Sequence, residues 1–294
     1  MIIDAHQHIW DLDRVRYDWL GPEAGPIFRT FTQADANAEL EEAGVAGTVL
    51  VQAADSAEDT DYMLEAARDH DQVVGVVGYL PLEHPDRVAA GIERLAGDPL
   101  IVGIRNLIHD REDPDFLIMP EVIESLGLLA RAGLAYDVVA VLPRHLEHVS
   151  TLAERHPDLR LIIDHLSKPP IDDHGPFGPA ADGRWTELIT RAAEYPNVFA
   201  KLSGLYPVRD PQDWSTTSLR PFVDQALAAF GPARLMYGGD WPVSITAGGY
   251  QRTWQGLRPL IDALPPADRS RVLAGTAIEV YRLDSDRLDA LTGS

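Results

Sequence analysis

The chain of 294 residues contains no cysteine, so it forms no disulfide bond and any metal ion must be held by nitrogen or oxygen ligands. It has no apolar run of about 18 residues, the length that a membrane-spanning helix needs. The amino terminus also lacks the basic and apolar segments of a signal peptide. We therefore expect a cytoplasmic protein without a membrane partner.

Positive charge is scarce as well. The chain has 25 lysines and arginines against 46 aspartates and glutamates, which gives a formal net charge of −21. Such a surface repels the phosphates of nucleic acids, so we expect no nucleic acid partner. Hydrophobic residues make up 45% of the chain, enough for a large core. These observations favour a globular protein with a small-molecule ligand, and they are compatible with a homo-oligomer.

Short apolar runs alternate with segments of helical periodicity along the whole chain. The runs are MIIDAHQHIW, VAGTVLVQA, VVGVVGYL, LIVGIRNLI, LAYDVVA, LRLIIDHL, NVFAKLSGL and RLMYGGDW. Eight strands that are apolar throughout, each followed by a helix, are typical of a parallel sheet covered on both faces. We predict a single-domain (β/α)8 TIM barrel, α/β in class, over residues 1–294, with a doubly wound open sheet as the alternative.

The connections into the predicted strands are short, whereas several that leave them are long. The long ones span residues 10–31, 166–184, 204–218 and 241–250 and are rich in proline, glycine and aspartate. In a parallel barrel all strand exits meet at one rim, where active sites are built. We therefore expect the functional site at that rim.

The stretch DAHQH places two histidines on the first predicted strand. Because alternate residues of a strand share a face, Asp4, His6 and His8 are predicted to point the same way, with both imidazoles in the barrel mouth. In isolation, such a pair of histidines could simply reflect the composition of an exposed surface. Its position at the exit of the first strand favours a functional role.

Two other strand exits carry matching groups. The sixth strand ends in IIDHLSKPP, which supplies His165 and Lys168, and the eighth reads LMYGGDWPV, which supplies Asp240. His165 could instead be a core histidine, and Asp240 could cap a turn. If the barrel closes, however, His6, His8, His165 and Asp240 converge, which is the strongest inference from this sequence.

Two cations lie within the strands themselves. Arg105 ends the fourth predicted strand and Lys201 lies in the seventh. Buried cations need anionic or polar partners, so each is either a structural ion pair or a substrate anchor. Tyr136 and Asp137 on the fifth strand could add polar groups.

These motifs together resemble the lactonase branch of the amidohydrolase superfamily, which includes sugar-lactone and 2-pyrone-4,6-dicarboxylate lactonases. The resemblance runs in order through DAHQHIWD, GIRN, YDVV, IIDHLSKPP, KLSGL and GGDWPV, and so covers nearly the whole chain. One departure is Asn106, where the family usually carries histidine. The resemblance implies a (β/α)8 barrel that hydrolyses a cyclic ester, such as an L-fucono- or L-rhamnono-lactone.

Lactone opening needs an activated water, stabilisation of an oxyanion and a proton for the departing alkoxide. We assign Asp240 as the base, and His165 with His6 or His8 as the groups that polarise the carbonyl. A small hydroxylated substrate would then be bound by the remaining polar and aromatic groups of the mouth, which are Arg105, Lys168, Lys201, Trp10, Tyr136 and Trp241.

A metal ion is a further possibility. His6, His8 and Asp240 offer three ligands with room for water, as in an open catalytic Zn²⁺ or Mn²⁺ site. The fifth strand, YDVV, has no histidine to add a ligand, and the lactonases that the chain resembles include metal-independent members. The sequence leaves both possibilities open.

Two other functions fit parts of the pattern. A metal-dependent non-oxidative decarboxylase of the same superfamily would use a similar pair of histidines and the eighth-strand aspartate, but would need a ligand histidine on the fifth strand. A non-catalytic barrel could bind a sugar acid between Arg105, Lys168 and Lys201. Retention of three histidines with Asp240 argues against this binding barrel.

Overall fold

A computed structural model describes residues 1–109, 111–207 and 209–292. The predicted domain also included residues 110, 208, 293 and 294, which lie outside the described residues. All eight predicted strands are present within the predicted runs. They are β1 (Ile3–Gln7), β2 (Gly47–Val51), β3 (Val73–Gly78), β4 (Ile101–Asn106), β5 (Ala135–Val138), β6 (Leu161–Ile163), β7 (Val198–Leu202) and β8 (Leu235–Tyr237).

The strands form one parallel sheet in the order of the chain, from β1 to β8. The two ends of this sheet meet, because Gln7 pairs with Trp241 in parallel and the amide of Asp240 donates to the carbonyl of His6 at 2.8 Å. The single-domain (β/α)8 TIM barrel is therefore confirmed. Closure joins the beginning of the chain to its last strand.

Each strand is followed by a helix, as the periodicity predicts. The helices are α1 (Gln33–Ala43), α2 (Ala57–Asp69), α3 (Pro85–Leu95), α4 (Pro120–Ala132), α5 (Pro143–Arg155), α6 (Arg184–Ala193), α7 (Thr216–Phe230), α8 (Tyr250–Asp262), α9 (Pro266–Ser270), α10 (Thr276–Tyr281) and α11 (Ser285–Thr292). Side-chain caps explain where several helices begin. The side chains of Thr32, Ser56 and Ser215 each accept a hydrogen bond from the backbone N–H three residues further along the chain. Proline occupies the first position of α3, α4 and α5, where its missing N–H costs nothing.

The apolar side chains form two layers. One lies inside the barrel and includes Val49, Val77 and Met236, and α10 covers it with Val280 and Tyr281. The larger layer lies between the sheet and the surrounding helices. The barrel interior is thus closed at the end that α10 covers, and polar groups collect toward the strand exits.

The connections are asymmetric, as expected. Between α4 and β5 only residues 133–134 intervene, whereas 25 residues, 8–32, separate β1 from α1. Long connections also follow β6, β7 and β8. They all lie at the rim formed by the strand exits. Among the described residues, no helix has both the length and the apolar composition needed to span a bilayer.

Candidate active site

The first strand pairs irregularly with the second where it approaches the site. The pairing register between β1 and β2 shifts between Asp4 and Gln7, as in a β-bulge, which breaks the alternation of side chains. The carboxylate of Asp4 accepts hydrogen bonds from the hydroxyl of Tyr250 on α8 and the amide of Gly239, both at 2.8 Å. The prediction that Asp4 shares a face with the two histidines is therefore wrong. Asp4 instead ties β1 to α8 and to the β8 exit.

The exit of β6 forms an unusual left-handed turn. His165, Leu166, Ser167 and Lys168 have φ values of 54°, 49°, 60° and 50°. Non-glycine residues are disfavoured in this region, and such strain persists where the surrounding structure holds it, often at functional sites. The turn directs His165 and Lys168 toward the exit of β8.

The exit of β8 brings Asp240 close to β1. A Cβ at Gly239 would lie 2.2 Å from a ring carbon of Tyr250 and 2.5 Å from Asp4, so no larger residue fits there without movement. Asp240 itself has a φ of 54°. The backbone thus follows β1 closely and presents the Asp240 carboxylate to the histidines.

Three imidazoles surround one carboxylate oxygen at the centre of the rim. The Nε2 atoms of His6, His8 and His165 lie 3.7, 3.6 and 3.8 Å from Oδ1 of Asp240. The Nε2 atoms of His6 and His8 are 3.1 Å apart. All four side chains are buried, while Lys168 beside them is half-buried. The convergence inferred from the sequence is present in the structure.

The three imidazoles are neutral at pH 7. Burial, followed by the ammonium of Lys201, lowers the pKa of His6 well below its usual value. Burial likewise lowers the pKa of His8 and brings that of His165 to about 3. Neutral imidazole is the form that ligates metals, and its N–H can donate to a developing oxyanion.

Asp240 is ionised in this setting. Burial alone would raise its pKa, but the neighbouring His165, the contact with His8 and the ammonium of Lys168 hold the pKa well below the usual value. The hydroxyl of Tyr206 donates to its Oδ2 at 2.7 Å. A carboxylate is thus available as a proton acceptor throughout the neutral range.

The donor set fits a divalent metal ion. Nδ1 of His8 lies 2.7 Å from the carbonyl of Val51, which only accepts, so Nδ1 carries the proton and Nε2 presents a lone pair. Nδ1 of His6 lies 3.2 Å from the carboxylate of Asp164 and 3.0 Å from the ammonium of Lys201; in the tautomer that donates to Asp164, its Nε2 also presents a lone pair. His6, His165 and Asp240 also place ligand atoms within 4.8 Å of one another, so the residues present can hold an ion.

A buried ion-pair network supports this centre from below. Nζ of Lys201 lies 2.5 Å from Asp137, 3.0 Å from Asp164 and 3.0 Å from Nδ1 of His6. Arg105 donates to Asp164 at 3.0 Å, and its Nη1 lies 3.5 Å from Nε2 of His6. Of the two interpretations left open, the structural ion pair describes Lys201, which has no exposed surface. Arg105 makes an ion pair and also borders the centre.

Two of the three aromatic residues predicted to line the mouth are fully buried. Trp10 is fully buried, packs edge-on against Phe31 and donates to the carbonyl of Arg29. Tyr136 is fully buried in the layer between sheet and helices, because its neighbour Asp137 takes the inward position. Neither has surface for a substrate to contact, and we correct both, with Lys201, to structural roles. Trp241 is 3% exposed and packs against Phe31.

Among the residues of the site that escaped the sequence analysis, two follow β7. Ser203 lies 2.9 Å from Nδ1 of His165, and Tyr206 contacts Asp240. Both follow β7, and their position at a strand exit was the available signal. Composition also draws attention to Lys168 and Lys201, because they are the only lysines in the chain. Asn106, the departure from the family pattern, is fully buried and donates to the carbonyl of Leu80 at 3.0 Å.

Comparison with known proteins identifies the family. A family model described as amidohydrolase matches residues 3–283. The chain belongs to the amidohydrolase family. It is 36% identical to an L-fucono-1,5-lactonase of Burkholderia ambifaria, with 96% of each chain covered. It is 30% identical to an L-fucono-1,5-lactonase of Burkholderia multivorans, again with 96% of each covered.

A solved structure extends this comparison. The crystal structure of an amidohydrolase from Burkholderia multivorans with bound zinc is 30% identical, with a TM-score of 0.86 over 97% of this chain and 100% of that chain. That structure shows that a relative with this fold binds zinc. In this chain, His6, His165 and Asp240 are the described residues whose ligand atoms could hold a metal ion together.

Proposed function

We propose that this amidohydrolase hydrolyses the ester bond of a sugar lactone, with L-fucono-1,5-lactone as the first candidate substrate. The observation that carries the proposal is the arrangement of three neutral imidazoles around one oxygen of an ionised carboxylate. The relatives at 36% and 30% identity, both L-fucono-1,5-lactonases, support the choice of substrate class.

Asp240 acts as the base in this proposal. Its Oδ1 accepts a proton from a water molecule as the water oxygen bonds to the carbonyl carbon of the lactone. The tetrahedral intermediate then collapses and breaks the bond between that carbon and the ring oxygen. Asp240 returns the proton to the departing alkoxide, and the product is the open hydroxy acid. One residue can serve both steps because it faces the reaction centre throughout.

The developing oxyanion needs donors that are already in place. The ammonium of Lys168 is half-buried at the site, and His165 is held by Ser203. Donors fixed before the reaction stabilise the oxyanion without reorganisation, and each is worth about 3 kcal/mol in comparable sites. We assign Lys168 and His165 to this role, with Arg105 as a further polar contact for the substrate.

We also propose that the bound metal is Zn²⁺, held by His6, His8 and Asp240 with His165 nearby. A set of three imidazole nitrogens and one carboxylate suits zinc better than manganese. When bound, such an ion would polarise the lactone carbonyl and lower the pKa of a water ligand. Asp164 and the carbonyl of Val51 orient the imidazoles of His6 and His8 for this purpose.

The hydroxyl groups of a sugar require polar surface beside the reacting bond. A cavity of about 330 Å³ lies at the exits of β1, β2 and β4. Hydrogen bonds of the buried Gln52 link its wall to a residue beside the centre, because the Gln52 side chain donates to both Asp55 and the carbonyl of Arg105. Its walls combine charged, hydroxyl and indole groups, contributed by Arg16, Asp18, Trp19, Ala54, Asp55, Ser56, Leu107 and Arg111. This composition suits a polyhydroxylated ligand.

We further propose that the protein works in the cytoplasm on this small molecule, without nucleic acid or membrane partners. The formal charge of −21 supports the exclusion of nucleic acid. A homo-oligomer stays a prediction, and light scattering coupled to size-exclusion chromatography measures it.

The experiment is a panel of lactones assayed by acid release with a pH indicator. It includes L-fucono-1,5-lactone, an L-rhamnono-lactone and a pyrone dicarboxylate, with protein as purified, stripped of metal and reloaded with zinc. An aromatic acid is tested separately with the same three preparations by release of CO2. We expect the fastest turnover with the sugar lactones. Decarboxylation of the aromatic acid with no lactone opening would refute the proposal. Full lactone turnover by metal-free protein would refute the zinc assignment alone.

A further inference from the structure

The segment that follows β7, Ser203 to Tyr206, touches three groups of the centre. Ser203 contacts His165, the carbonyl of Gly204 accepts from Nζ of Lys168 at 3.1 Å, and Tyr206 donates to Asp240. We propose that Tyr206 is a positioning residue for the reaction, and that its hydroxyl fixes the rotation of the Asp240 carboxylate. The inference rests on the proposed function only for its kinetic test.

The two oxygens of Asp240 have different surroundings. Oδ2 accepts the hydroxyl of Tyr206 at 2.7 Å, whereas Oδ1 faces the Nε2 atoms of His6, His8 and His165. Within the described part of the chain, the hydroxyl of Tyr206 is the only hydrogen-bond donor recorded to Oδ2. The last torsion of an aspartate is soft, so a carboxylate without such a partner rotates readily. Tyr206 therefore fixes the plane of the carboxylate and the direction of the lone pairs that the other oxygen presents to the water.

The ring of Tyr206 is itself held in place. Nζ of Lys168 lies 4.5 Å from the ring centroid, a cation–π distance, while it also donates to the carbonyl of Gly204. Gly204 has a φ of +56°, and a Cβ there would lie 2.9 Å from Oδ2 of Asp240. The glycine thus lets the chain pass against Asp240, and Lys168 anchors the ring that follows.

The kinetic test compares Tyr206→Phe with Tyr17→Phe. Tyr17 is a matched control for kcat because its hydroxyl donates to another buried aspartate, Asp59, at 2.9 Å, away from the histidines; KM is not compared there, because Arg16 and Asp18 line the proposed substrate cavity. With L-fucono-1,5-lactone we expect Tyr206→Phe to lower kcat about 10- to 100-fold while KM changes less than about threefold, as for lost partners that orient reacting groups. Tyr17→Phe should keep kcat within about twofold. The thermal midpoints of the two variants should fall by similar amounts.

Two kinetic results would overturn the inference. One is a kcat for Tyr206→Phe within about twofold of the unaltered protein, and the other is an equal loss of kcat in both variants. The second result would mean that losing any buried hydroxyl has the same effect. Neither result bears on whether the unaltered protein opens lactones, which the substrate panel measures separately.

Crystal structures of metal-free Tyr206→Phe and of the metal-free unaltered protein test the positioning without a substrate or an ion to hold the carboxylate. We expect the Asp240 carboxylate to rotate or to occupy two orientations, while His6, His8 and His165 stay in place. A single, unrotated carboxylate would overturn the inference even if the enzyme is active. A rotated carboxylate would support it even if the substrate lies outside the lactone panel.

Discussion

Every imidazole at the centre is oriented through its Nδ1 atom. His8 contacts the carbonyl of Val51, His6 contacts Asp164, and His165 contacts Ser203. These partners fix the ring planes, so that all three Nε2 atoms face Asp240. The chemistry at residue scale therefore depends on groups that never meet the substrate.

Lys168 and Lys201 allow a test of accessibility at the same scale. Lys168 is half-buried at the mouth, and burial lowers the pKa of its ammonium, whereas Lys201 has no exposed surface. A lower pKa leaves more free amine at neutral pH, so trace acetylation at pH 7.5 followed by peptide mass spectrometry should modify Lys168 and spare Lys201. The hydroxy acid product should protect Lys168.

The exposed amino terminus serves as the internal reference for this labelling, and unfolded protein, in which both lysines react, serves as the control. Equal labelling of both lysines in the folded protein would contradict the structure. Lack of protection by the product would remove Lys168 from the substrate contacts.

Much of the residue scale could be predicted from sequence. Histidine at a strand exit is an uncommon choice for a core, so His6, His8 and His165 could be found without coordinates. The direction of the Asp4 side chain could not be predicted, because a register shift in β1 reverses it and no residue in DAHQH signals that shift. The prediction that Tyr136 lines the mouth was wrong for a related reason. Neighbouring strand residues face opposite sides of the sheet, and the sequence does not show that Asp137 is the one that faces inward.

At the scale of elements, the site is formed by strand exits whose backbone is strained. The β6 exit contains four consecutive left-handed residues and the β8 exit contains another, Asp240. Strain of this kind costs about 1–3 kcal/mol per residue and must be offset by the rest of the barrel. The strands and helices themselves were predictable, because their apolar runs and periodicity are strong. The left-handed turns were not, because His165 to Lys168 include no glycine.

Gly204→Ala tests whether the β7 exit must pass this close to the centre. The new Cβ would lie 2.6 Å from Nδ1 of His165 and 2.9 Å from Oδ2 of Asp240. We expect kcat/KM to fall more than about 100-fold, because displacement of reacting groups by about 1 Å has that effect. The substitution also places alanine at positive φ, which costs about 1–2 kcal/mol of folding stability.

The matched control is Gly44→Ala, at the end of α1. Its φ of +71° is similarly unfavourable for alanine, but no atom lies within 4 Å of the new Cβ. This variant should lose comparable stability and keep its activity. If Gly204→Ala remained as active as Gly44→Ala, the close approach of the β7 exit would not matter for the reaction.

At the scale of the whole molecule, barrel closure creates the active site. His6 and Asp240 are 234 positions apart in the chain, yet β1 and β8 are adjacent, and the amide of Asp240 donates to the carbonyl of His6. The alternation of strands and helices predicted this closure. The apolar interior, covered by α10 at the opposite end, leaves the strand exits as the entrance to the site.

The account depends on Asp240 as the proton acceptor, and the turnover of Asp240→Asn tests it most directly. Initial rates with L-fucono-1,5-lactone, corrected for spontaneous hydrolysis, should fall at least about 1000-fold, because the amide keeps the shape but cannot take the proton. The thermal midpoint should change little. A well-folded Asp240→Asn variant whose rate stays within about tenfold of the unaltered protein would contradict the central claim.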